Sequence, residues 1–190
     1  MKKIILFLAL VLLNSSMFAQ TTWKVDPNHS KLAFSTIHLG ISEVDGLFKK
    51  FDVSIESNKE DFSDAVIDLT VDIASIDTEI EKRDNHLRSE DFFDAINYPK
   101  MTFKSTSIQE VEKNKYKLNG DLTLHGITKP VTMDLWYRGT VENPKDKSKI
   151  SGFQLTGSIN RSDFNIGSKF PEPLLSDAVK IKADGEFKIQ

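Results

Sequence analysis

Apolar and polar residues alternate along most of this chain with a period of two, the pattern of strands that bury one face. The clearest stripe is Ala65, Ile67, Leu69, Val71 and Ile73, backed by Asp64, Asp68, Thr70 and Asp72. Leu32, Phe34, Thr36 and His38 share a face, with Lys31, Ala33 and Ser35 opposite. The alternation continues through Met101 and Phe103, through Tyr116, Leu118, Leu122 and Leu124, and through Val131, Met133, Leu135 and Tyr137. Two last stripes follow, Phe153, Leu155 and Ile159, then Val179, Ile181, Ala183, Phe187 and Ile189. With residues 44–55 these make eight strands, plus a short one at residues 23–25.

Phe48 and Phe51 lie three apart, so a bulge or kink near Lys49 is needed to keep both inside. Turn signals at "KNK" (113–115), "HGITKP" (125–130) and "ENPKDKSK" (142–149) give short connections and hence antiparallel neighbours. Eight such strands can stack as a sandwich or close as a barrel. The barrel is expected, because closure removes the free edges that invite aggregation.

One segment breaks the alternation. In "DTEIEKRDNHLRSEDFFD" (77–94), Thr78 and Glu81 have capping-box spacing, and Asp84 and Arg88 are placed to pair on a helix face. Ser89, followed by Glu90 and Asp91, reads as a second N-cap. A helical insertion over about residues 79–94 is therefore expected, with Leu87, Phe92 and Phe93 turned toward the barrel mouth. "GSKFPEPLLSDA" (167–178), with two prolines and no period, reads as a long loop before the last strand.

The first residues bear on location. Lys2 and Lys3, an apolar run at residues 4–13, and small or polar residues ending in Ala19 have the three-part form of a secretory signal. The expected division is a cleaved leader at 1–19 and one barrel domain at 20–190. The run is too short to span a bilayer. Removing Lys2 and Lys3 leaves 23 basic against 28 acidic side chains, a balance that argues against nucleic acid as partner. With no cysteine, an oxidising compartment has no disulfide to make.

Candidate chemistry is sparse. His29, His38, His86 and His125 come from four distant segments without metal-ligand spacing. No G-x-S-x-G elbow is present, and acidic pairs such as Asp61 and Asp64 fall where charges are solvated or capping. Arg161 in "INRSDFNIG" has two readings, an ion pair with Asp163 or contact with an anionic head group at the rim, and Arg88 has the same two. Small residues recur on the inward faces (Ala65, Gly120, Gly157, Ala183, Gly185), which leans toward an interior with room for one ligand, though they also ease strand curvature.

Four ordered stretches, "WKVDPNHSKLAFSTIHLGISEVDGLF", "HLRSEDFFDAINYPKMTFKS", "GDLTLHGITKPV" and "INRSDFNIG", resemble the YceI-like family of secreted proteins, from Trp23 to the C-terminus. The resemblance implies an all-β fold, an eight-stranded antiparallel lipocalin-like β-barrel, whose apolar cavity holds a polyisoprenoid or similar long-chain amphiphile in the periplasm. It brings no catalytic residue, metal or cofactor. The ligand-binding residues expected are Phe34, His38 and Phe48 from the first strands, Leu69 and Val71 from the clearest stripe, and Phe92 and Phe93 from the insertion. Phe103, Leu122 and Leu124 add the far wall, and Arg161 the rim. The partner expected is thus a long-chain isoprenoid or fatty-acid-like lipid, with transient membrane contact and a homodimer both compatible. Two alternatives stay open, a metal-dependent hydrolase using the histidines and a solid-cored surface interaction module.

Overall fold

The computed structural model describes residues 20–190, so the expected leader at 1–19 lies outside the described residues. The alternating stripes form β1 (Thr21–His38), β2 (Ser42–Phe48), β3 (Phe51–Ser57), β4 (Val66–Asp72) and β5 (Ile76–Asp77). After one helix, α1 (Glu81–Arg88), come β6 (Lys100–Glu112), β7 (Lys115–Leu124), β8 (Ile127–Glu142), β9 (Lys149–Asn160) and β10 (Ala178–Ile189).

These ten segments follow eight paths. β2 pairs with the C-terminal half of β1, Leu32 opposite Phe48, and β3 with its N-terminal half, Trp23 opposite Ile55. Residues 44–55 are thus one strand bent at Lys49 and Lys50, where the spacing of Phe48 and Phe51 requires it. Ser75 fixes the bend, its carbonyl accepting from Lys49 N–H at 3.1 Å and its hydroxyl from Lys50 N–H at 3.0 Å. β4 and β5 pair with β3 and β2 in turn, interrupted by a 3-10 turn at Ile73–Ser75. Every neighbouring pair is antiparallel, and β10 returns to β1 to close the barrel.

Two expected boundaries move. The short strand at residues 23–25 is the start of β1 itself, separated from the rest only by a register shift between Val25 and Ser30. Of "HGITKP" only His125 and Gly126 turn, both at positive φ, and Thr128 to Pro130 already belong to β8.

The lower end of the barrel, where β3 meets β4, is filled. Phe62, in the loop between them, enters the barrel and is 2% exposed. Its ring centroid lies 5.4 Å from Trp23 and 4.9 Å from both Tyr137 and Phe153. The Tyr116 hydroxyl donates to the Asp61 carbonyl at 2.5 Å, and burial pushes this phenol up to about 12. Asp64 accepts from the Ser57 hydroxyl and from the Asn58 N–H, closing the loop on itself.

Two of the inward glycines, Gly120 and Gly157, do not open the interior as expected, whereas Ala183 and Gly185 do border open interior space. A Cβ on Gly120 would run into the Phe103 ring and lie 2.5 Å from the Lys104 carbonyl oxygen. One on Gly157 would run into the Met133 sulfur. These glycines seat a neighbour's side chain. Gly120→Ala should therefore lose about 1–3 kcal/mol in urea unfolding, by overpacking. Gly152→Ala, whose Cβ meets nothing nearer than 3.7 Å, should be neutral or gain up to about 1 kcal/mol. Equal losses at both positions would contradict the packing described.

Candidate functional site

Above the aromatic plug the inward side chains do not fill the barrel. Phe34, Val53, Leu69, Ile159 and Ile181 point into the barrel yet are only half-buried. The space between them is a cavity of about 210 Å³. Phe153 and Phe187 form its floor, Leu69, Phe103 and Leu122 part of its wall, and Leu87, Phe92 and Phe93 its roof. Polar side chains on the lining are few: Ser30, Lys31, Thr36, Arg161 and Asp184. A buried water needs only roughly 10–15 Å³ but also two to four polar partners, so a space like this offers room without hydration. An apolar occupant would fit such a lining without needing polar partners.

The roof is positioned by polar contacts that sequence spacing did not identify. The expected capping box is absent: Ile80 is the N-cap and makes no side-chain cap bond. Thr78 instead turns to Asp84, whose Oδ1 accepts from the Thr78 hydroxyl at 2.6 Å and its N–H at 2.8 Å. With Asp84 so committed, the expected pair with Arg88 does not form. Arg88 donates to the carbonyls of Ala74 and Ile76 and to Asn85 Oδ1, tying α1 to the β4–β5 path. The helix ends at Arg88, and the rest of the expected insertion follows as a separate turn that carries Phe92 and Phe93. The Phe93 N–H reaches back to the Leu87 carbonyl at 3.0 Å.

These turns carry Phe92 and Phe93 over the barrel mouth, as expected. Phe93 meets Phe48 edge-on at 6.0 Å, and Phe48 tilts against Phe34 at 5.6 Å. Phe92 stacks on Phe170 at 4.9 Å, with the His86 ring edge-on to both. Outside the rings, Asp91 accepts from Lys169 and from His86, and the Lys169 ammonium holds its carboxyl below the usual range. The charges of this stretch face water and join α1 to the β9–β10 loop.

Arg161 takes neither expected role. It is buried, Asp163 is not its partner, and all five N–H groups go to main-chain carbonyls. Nε donates to Ser176, Nη1 to Ile166 and Gly167, and Nη2 to Phe170 and Leu175. It holds the β9–β10 loop over the barrel and keeps no donor for a head group, though its side chain does border the cavity.

Two other expected lining residues fall elsewhere. His38 is exposed, because the end of β1 runs past the barrel rim into a hairpin with β2 and has no interior to face. Val71 is 0% exposed and packs without reaching the cavity. Phe34, Phe48, Leu69, Phe92, Phe93, Phe103, Leu122, Leu124 and Arg161 all border it. Ile166, from the motif INRSDFNIG, and Leu175, from the loop without a period, border it unforeseen. For Leu175, the apolar residues inside a proline-containing stretch were the available signal.

The histidines stand apart. His29 contacts Asp26, His86 contacts Asp91, His125 contacts the Phe164 carbonyl, and His38 lies at the rim. Among the described residues, Asp26, His29 and Glu186 are the one group spaced for a metal. Asp26 there already accepts from Lys188 Nζ at 2.7 Å, and that bond chiefly draws its carboxyl down to about 2.

A family model described as a YceI-like domain matches residues 23–187. A UPF0312 protein of Staphylococcus aureus strain N315 is 40% identical over 175 residues, covering 89% of this chain and 98% of its own. The crystal structure of Burkholderia cenocepacia BcnA superposes with a TM-score of 0.75 at 27% identity, covering 85% of this chain and 98% of that one. The Campylobacter jejuni YCEI protein gives 0.71 at 33% identity, over 81% and 90%. A polyisoprenoid binding domain from Saccharophagus degradans, implicated in plant cell wall breakdown, shares the fold with a TM-score of 0.68 at 14% identity, over 90% and 100%.

Cavity and core respond oppositely to bulk. Leu69→Trp places its ring in empty space and should leave the unfolding free energy within about 0.5 kcal/mol, whereas Val71→Trp overpacks and should lose about 1–3 kcal/mol or more. Similar losses at both would show the interior at Leu69 to be filled.

Proposed function

The chain belongs to the YceI-like family, and from that premise we propose that it is an exported, non-catalytic carrier of a long-chain isoprenoid or similar amphiphilic lipid. The observation that carries this reading is the cavity: a space of about 210 Å³ walled almost wholly by hydrocarbon. Burying an apolar chain there gains roughly 25 cal/mol per Å² removed from water, so affinity needs little polar recognition. Arg161 adds to this picture by having no donor left for a head group. Selection then rests on chain length and width. A solved relative described as a polyisoprenoid binding domain supports the same ligand class.

The leader at 1–19 supports export through a cleaved signal, with the mature barrel running over 20–190 and working in the periplasm. A lipid leaving a membrane needs such a shell to cross water. The histidine-based hydrolase gains no support, since the four rings stand in separate contacts. A solid-cored module would leave the cavity without a use.

Native mass spectrometry of protein exported by its own host tests this reading. The expected result is a chain beginning at Gln20, with one co-purifying lipid per chain whose organic extract contains an isoprenoid or long alkyl tail. An empty barrel, or one stoichiometric metal ion in its place, would overturn it.

A further inference from the structure

The ends of this barrel differ outside as well as inside. At the roofed end, three connections carry exposed apolar side chains. The turn between β1 and β2 presents Leu39 and Ile41, the latter 85% exposed. The segment after α1 presents Ile96, 91% exposed, and the β9–β10 loop presents Leu174. Leu39 and Leu174 are joined, Leu39 N–H donating to the Leu174 carbonyl at 3.0 Å. The next residue inward, Leu175, borders the cavity and bridges to His38, and Thr36, also on the lining, meets Ser176 at 3.0 Å. The β1–β2 turn and the β9–β10 loop are thus tied together at the cavity rim, with Leu175 on the lining beside the exposed Leu174.

The hairpin tip adds a conformational observation. Both Leu39 and Gly40 have positive φ, 54° and 70°. Asn or Gly suits the first of these positions, whereas leucine is disfavoured there and still leaves half of its surface in water. An exposed leucine held in an unfavourable conformation points to a contact made outside the monomer. Near the mouth Lys169 pairs with Asp91 and Lys180 with Glu43, while Asp177 keeps its negative charge and accepts from Ser162. The chain as a whole carries a formal charge of −3. Attraction to anionic lipid by a basic patch is thus not on offer, and shallow insertion of aliphatic side chains is.

We propose that this rim, with Leu39, Ile41 and Leu174 at its centre, docks on a lipid surface so that cargo passes between bilayer and cavity without crossing water. The inference rests on the carrier reading for its cargo, but the docking itself is measured separately. The occupant is a neutral bilayer surface. A second copy of the chain is the competing outcome.

The test is co-flotation of the mature protein with phosphatidylcholine vesicles, beside transfer of a fluorescent polyene from those vesicles. Leu39→Asn keeps the turn, since Asn accepts positive φ, and Ile41→Ser removes the most exposed side chain of the tip. The double variant should fold normally, as seen by circular dichroism. It should partition at least about tenfold less onto vesicles and slow transfer similarly. Uptake of the same polyene from detergent micelles should stay unchanged. Partition of the unaltered protein should vary less than about twofold between roughly 50 and 500 mM salt. Unchanged partition in the variant, or partition that needs anionic lipid, overturns the proposal. So does a dimer in sedimentation that the variant dissociates, because the rim would then be covered by another copy. Failure of both proteins to take up polyene from micelles would defeat the carrier reading, with flotation still deciding the docking.

Discussion

Closure of one antiparallel sheet through the pairing of β10 with β1 is the constraint on which the rest of this structure depends. Eight strands enclose a space that side chains can fill or that can hold one small ligand. Here the two solutions are stacked along one axis. At the lower end Phe62 completes a cluster with Trp23, Tyr137 and Phe153. At the upper end Val53 and Leu69, paired on one wall, and Ile181 of β10 border a space that side chains leave unfilled. The wall is continuous through both halves, so the filled part lends its stability to the part that is not filled.

The upper end can stay hollow because its cover is held from outside the cavity. Arg161 spends every donor on the carbonyls of the β9–β10 loop, and Arg88 and Asp84 fix α1 against the strands. These are polar contacts made by buried or half-buried groups, strong because the alternative partner, water, is largely absent. They leave the inner face of the roof to Leu87, Phe92 and Phe93. Between the two covers the contacts are softer: stacked rings of Phe92 and Phe170, and an exposed ion pair of Asp91 with Lys169. Exposed pairs contribute little to stability, so the two covers are held together chiefly by the Phe92–Phe170 stack.

Most of the barrel was legible because alternation is a local signal, repeated along every strand. The kink at Lys49 was legible from the spacing of Phe48 and Phe51 alone, and the family from four ordered motifs. What failed depended on contacts between distant segments. The pairing of Thr78 with Asp84 displaced a capping box that local spacing favoured. His38 kept the period of its strand but lay beyond the rim, a height that one strand does not reveal. Gly120 and Gly157 looked like open space until Phe103 and Met133 were placed over them. Phe62 sat between stripes with no period to mark it, and only the closed sheet gives it a place to go.

The central claim is that the upper interior is a space for an apolar chain, and its most direct test is calorimetric titration of delipidated protein with isoprenoid alcohols of increasing length. If the claim is right, affinity rises with each added isoprene unit until the chain spans floor to roof, then levels off, and the heat-capacity change on binding is negative. Affinity that does not depend on chain length, or heats that never saturate at one chain per barrel, would contradict it.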